Sequence, residues 1–160
     1  MTLGFVLGLV TGGKIQDLKT TAEKKAFVFK RYSGGVLSAV SLAICANGSF
    51  GALLGQYGLA AAITIASGLL AASVGFQFYQ FPAKYATTFG NDKAVFISLC
   101  DAFGFLMLAP FWFTISGIVG SNAQGWSTAW LVVASFLAVG GSIMVNSLAT
   151  VMRLDEEKES

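Results

Sequence analysis

Long uncharged runs of apolar residues, separated by short polar clusters, set the pattern of this chain. Between Arg31 and Lys84 no residue is charged, and between Lys93 and Arg153 only Asp101 is. A helical crossing of a bilayer takes about 20 apolar residues, so each run accommodates two crossings and a turn. The pattern predicts an all-α polytopic membrane protein with four full transmembrane helices in region 32–152, arranged as two hairpins, plus a partial N-terminal helix over 1–12. The crossings are expected at 32–46, 59–81 and 94–119, followed by a fourth that runs to about Met152. Pro82 ends the second because it cannot donate to the helical ladder. The intervening turns, 47–58 and 120–124, carry no charge. Residues 1–12 cover only about 18 Å as a helix and read as the tail end of a longer one. Lys14 follows this apolar run instead of preceding it, unlike a secretion signal.

Basic residues fix the expected orientation. Segment 13–31 holds six Lys or Arg, 82–93 two, and the polar tail 153–160 two, whereas the uncharged turns hold none. With four crossings these three basic segments fall on one face of the membrane, which the positive-inside rule assigns to the cytoplasm. Trp126 and Trp130 stand where an interfacial aromatic belt is expected at the other face.

Composition agrees and excludes several chemistries. Of 160 residues 55% are hydrophobic and 11% charged, with mean hydropathy +0.71, against roughly a quarter charged in soluble domains. The absence of His removes imidazole metal ligands and Ser-His-Asp relays. No phosphate-binding glycine loop occurs, so no enzyme activity, metal or cofactor is expected. A net charge of +2 with scattered lysines gives no reason to expect a nucleic-acid partner. Cys45 and Cys100 fall within crossings and read as small buried apolar residues.

A few residues stand out as candidate chemistry. Asp101 is the one ionisable residue inside a crossing. It reads either as a proton, cation or substrate partner facing a wet cavity, or as a carboxylate anchoring a neighbouring basic loop. Ser73, Gln77 and Gln80 share one helical face, suited either to a polar solute or to hydrogen bonds with water, headgroups or another helix. Thr64, Ser67, Gly68, Ala71 and Gly75 line the opposite side and read as a packing face. The same reading fits Gly35, Ala39 and Ala43, and Ala134, Ala138, Ser142 and Asn146, because small residues let helix backbones approach. Pro110 is expected to kink the third crossing.

The segment Gly12-Gly13-Lys14-Ile15-Gln16-Asp17, followed by Lys19, Lys24 and Lys25, resembles the cytoplasmic-loop signature of the major facilitator superfamily of transporters. Gly13 and Asp17 keep the Gly-x-x-x-Asp spacing before a basic cluster. Leu18 stands where an Arg usually follows the Asp, and the next Gly of the signature is absent. The resemblance covers the chain as the C-terminal portion of such a transporter, from the end of helix eight through helix twelve. It implies that crossings one and four are outer supports, two lines the cavity and three takes part in gating. Gln77, Gln80 and Asp101 then become substrate or gating candidates, and Asp17 with its lysines a charge latch.

The expected function is transport of a small, unidentified solute as one piece of such a transporter, inactive alone. Its partners are the lipid bilayer and further transmembrane helices. The alternative is a four-span structural or assembly subunit of a larger membrane complex.

Overall fold

In the computed structural model the chain is described over residues 2–18, 20–75, 92–121 and 124–159, and these are helical with no strand among them. The elements are α1 (Thr2–Gly12), a 3-10 turn (Gly13–Gln16), α2 (Thr21–Cys45), α3 (Gly48–Gly75), α4 (Lys93–Ser121) and α5 (Gly125–Glu159). Three stretches are long and apolar enough to cross a membrane: Gly48–Gly75, Ile97–Ser121 and Gly125–Ser147. α2 is of similar length, but its first three turns carry Glu23, Lys24, Lys25, Lys30 and Arg31.

Three boundaries differ from the sequence expectation. Segment 13–31 is a loop only as far as Thr20, because a reciprocal capping box starts α2 at Thr21. The Glu23 N–H donates to Thr20 Oγ1 at 3.2 Å and the Thr20 N–H to Glu23 Oε2 at 3.1 Å. These bonds satisfy two orphan amides of the first turn, so the basic residues after Thr20 ride on helix. The uncharged turn 47–58 is likewise mostly helical. Asn47 Oδ1 accepts from the Ser49 N–H at 3.1 Å, and helix resumes at Gly48. It breaks at Gly55, whose φ of 67° and ψ of 170° lie in a region open essentially to glycine alone. The tail continues α5 as helix to Glu159. α4 runs as one helix through Pro110, with Thr114 Oγ1 donating to the Pro110 carbonyl at 2.9 Å. The end expected for the second crossing, 76–81, lies outside the described residues, as does 82–91.

Packing follows side-chain size. α1 lies parallel on α3 with Gly4 against Gly68, Gly8 against Ala72 and Gly75 against Phe5. A Cβ at Gly8 would come within 2.5 Å of the Ala72 carbonyl oxygen, so the contact is backbone on backbone. Leu3, Val6, Leu7 and Val10 point outward from α1. This arrangement agrees with the packing role expected for Gly68 and Gly75.

α2 runs antiparallel to both α3 and α5 and packs extensively on each. Ala39 and Leu42 meet Ala66 and Leu70 of α3 and Ala134 of α5 in the main buried cluster. Near the basic end the Tyr32 ring lies on Gly141, and Val28 is fully buried in a cluster that Met144 and Val145 flank. At the other end Ser127 Oγ donates to the Ala43 carbonyl at 2.8 Å. Trp130 joins the main cluster instead of an interfacial belt, while Trp126 is exposed. α4 packs chiefly on α5, where Phe111 and Phe136 meet edge to face at 5.9 Å.

The interior is therefore rich in Gly, Ala and Ser, and the exterior carries Leu, Ile, Val and Phe. A water-soluble bundle would bury the large residues. Small residues between helices and large apolar ones outside are the membrane arrangement, and they accord with integral membrane localisation.

Two substitutions test these contacts. Gly8→Leu is expected to lower stability by about 1–3 kcal/mol through overpacking against α3, whereas outward Val10→Ala stays within about 0.5 kcal/mol; thermal melts in mild detergent measure both. In the same assay Gly55→Ala is expected to cost about 1–3 kcal/mol in backbone strain. Gly48→Ala, whose added Cβ meets nothing within 4 Å, should be close to neutral.

Candidate functional site

The motif residues occupy the basic end of the bundle. Gly13 opens the 3-10 turn that follows α1, and Asp17 closes it, its N–H donating to the Lys14 carbonyl at 3.1 Å. A Cβ at Gly13 would meet nothing within 4 Å, and Asp17 is exposed. Lys24 and Lys25 stand half-buried on the first turn of α2. Lys19, Gln77 and Gln80 lie outside the described residues. Ser73, grouped with the two glutamines in the sequence reading, is buried against α2, its Oγ 3.1 Å from where a Gly34 Cβ would stand. That face of α3 thus begins as a helix-packing surface. Asp101 is exposed on α4, apart from the motif residues.

Arg31 is the residue whose role the sequence did not reveal. Instead of extending away from the bundle, its guanidinium reaches across three helices. Nη2 donates to Thr11 Oγ1 of α1 at 2.5 Å and Nη1 to the Ala72 carbonyl of α3 at 3.5 Å. The group also lies over the Phe27 ring at 5.1 Å. Thr11 Oγ1 in turn donates to the Leu7 carbonyl at 2.6 Å. The cation thus sits beside the last turn of α1, where the helix dipole is negative. Only a planar fork of donors reaches both oxygens at once. The signal in the sequence was that Arg31 is the one Arg among the six basic residues of 13–31.

Beyond Arg31 the described residues form apolar clefts between the helices. One of about 510 Å³ lies between α2 and α3, lined by Leu37, Ser38, Ser41, Ile65, Leu69 and Ser73. The Ser38 and Ser41 hydroxyls donate to the Gly34 and Leu37 carbonyls at 2.7 and 2.8 Å, so they are spent on their own helix. Phe50, on the short segment before Gly55, and Ile44 line both this cleft and another of about 490 Å³ that reaches Ser127 and Leu131 of α5. Among the described residues no three His, Cys, Asp or Glu side chains converge on a common point suited to a metal ion.

Removing the Arg31 fork should loosen α1. Arg31→Lys is expected to cost about 1 kcal/mol, at the low end for charge-assisted hydrogen bonds because the group is half-exposed. Lys30→Gln, one residue earlier and exposed, should cost almost nothing; melting temperatures and the protease sensitivity of the 13–18 turn report both. No protein-family model, curated protein or solved structure matches the chain, so the reading of its function rests on these residues and their geometry.

Proposed function

We propose that this chain is a four-span transmembrane unit of a major-facilitator-type transporter that moves a small solute together with further transmembrane helices. The observation that carries the reading is Asp101, the one charge inside the apolar stretch Ile97–Ser121, exposed on the helix its neighbours cover least. An in-span carboxylate turned to lipid costs about 2.5–3.5 kcal/mol near the centre of a bilayer, so its side belongs against polar surface: a wet cavity or another helix. The helix pairing departs from the family resemblance at one point: α2, an outer support there, packs here between α3 and α5.

In this reading α2 also crosses, in addition to the three long apolar helices, and α1 is a partial crossing. Antiparallel packing brings Arg31, Ala72 and Val145 to one end of the bundle and Asn47 and Ser127 to the other. The lysines of 13–31 and the polar tail, with Arg153 and Lys158, then share the cytoplasmic face.

A second reading, an assembly subunit without transport, is favoured by the α2–α3 cleft, where Ser38 and Ser41 spend their hydroxyls on their own helix and so offer a solute no free donor. Purification in mild detergent with the bound partner, followed by reconstitution and uptake assays over sugars, sugar phosphates, amino acids and carboxylates, separates the two. The transporter reading expects no uptake by the chain alone and saturable uptake by the complex, reduced by Asp101→Asn without loss of assembly. A complex that assembles and transports nothing supports the subunit.

Topology is tested separately. Single cysteines at Thr21, Asn47 and Ser121, in a chain lacking Cys45 and Cys100, are expected to label from opposite sides: Thr21 from the cytoplasm, Asn47 and Ser121 from the other face. Thr21 and Asn47 labelling from the same side would mean that α2 does not cross.

A further inference from the structure

Asp101 belongs to a distinct side of α4. At about 100° per residue, the residues of α4 divide into three sectors. Met107, Phe111, Ile115 and Ile118 form the first. Phe111 meets Phe136 of α5, and Met107 and Ile115 line the α4–α5 cleft with Val132 and Phe136. Val95, Leu99, Phe103, Leu106 and Phe113 form the second, all large, apolar and exposed, as a lipid-facing side is. Ser98, Asp101, Ala102, Ala109, Trp112 and Ser116 fall in the third, within about 100° of one another, and all six are exposed; Phe105 and Val119 share the arc. This third side carries the charge, two hydroxyls, an indole N–H donor and two alanines.

We propose that this third side of α4 is an intramembrane docking surface for a transmembrane helix bearing a Lys or Arg at the level of Asp101, whether or not the assembly transports a solute. The charge selects the occupant. Asp101 lies about 12 Å along the helix from Lys93, and its side chain is too short to snorkel to the surface as Lys and Arg do. Among the described residues α4 packs chiefly on α5, whose apolar stretch Gly125–Ser147 contains no ionisable residue; the charges of α5 begin only at Arg153, toward the polar end. A second copy docking α4 on α4 about a two-fold axis would set one Asp101 carboxylate near another, an unfavourable pairing of like charges. A basic helix resolves the charge, and Ala102 and Ala109 let its backbone come close.

The test uses the full chain labelled with a donor fluorophore in phosphatidylcholine vesicles, and acceptor-labelled transmembrane peptides of ~21 residues. The peptides differ only in carrying Lys, Leu or Glu one turn inside the end that matches Asp101. The expected result is about tenfold tighter association of the Lys peptide than of the Leu peptide. Asp101→Asn brings that ratio to about one, and Asp101→Lys moves the preference to the Glu peptide. Ala109→Leu weakens binding of the Lys peptide, whereas Leu106→Ala, on the lipid side, leaves it unchanged. Equal association of Lys and Leu peptides, a preference that survives Asp101→Asn, or self-association of the chain that requires Asp101 would overturn the proposal.

Discussion

A bilayer removes the usual reason for helices to associate, because a leucine that leaves lipid for a neighbouring helix exchanges one apolar environment for another. Close backbone approach and interhelical polar contact remain, and the fold depends on both. Gly4 and Gly8 bring the α1 backbone onto α3 at Gly68 and Ala72, and Gly141 lets the Tyr32 ring lie on the α5 backbone. Each contact requires the absence of a side chain. The large apolar residues are free to face outward, where lipid solvates them.

The same constraint explains why α2, the least apolar long helix, occupies the middle. A helix surrounded by other helices needs no continuous apolar surface, and α2 buries Ser38, Gly35, Ala39 and Ala43 between α3 and α5. Its charged first turns stand at the bundle end. There Arg31 ties α1 to α3 through Thr11 and Ala72. α4 is the opposite case, held mainly by one neighbour, with its lipid-type side and its Asp101 side both exposed. Stability therefore concentrates around α2, and the open polar chemistry lies on α4.

How much of this was legible in the sequence depended on how local each signal is. α3, α4 and α5 follow from uncharged apolar runs, because composition over about 20 residues decides whether a helix suits lipid. The packing role of Gly68 and Gly75 was legible from their shared helical face, although the matching glycines of α1 were hidden in a segment that read only as short and apolar. The start of α2 was obscured by its charges, which suggested a loop, while the Thr20-to-Glu23 capping box spelled a helix start. The break at Gly55 was not legible: it is one glycine among several between Gly48 and Gly58, and nothing in the residue type tells which adopts positive φ. The inward turn of Arg31 depends on Thr11 and Ala72, partners distant in the chain. Of the candidate site residues, Gly13, Asp17, Lys24 and Lys25 gather at the basic end, Asp101 stands apart on α4, and Lys19, Gln77 and Gln80 lie outside the described residues.

The proposed crossing of the bilayer by α2, packed between α3 and α5, is open to direct measurement. Spin labels placed singly at Leu37, Ala39 and Leu42 in reconstituted bilayers, with collision rates measured against oxygen in lipid and a nickel chelate in water, test it most directly. Leu37 is 67% exposed and Ala39 fully buried. The account predicts high oxygen and low nickel accessibility at Leu37, and low accessibility to both at Ala39 and Leu42. Nickel access at all three positions would place α2 outside the membrane.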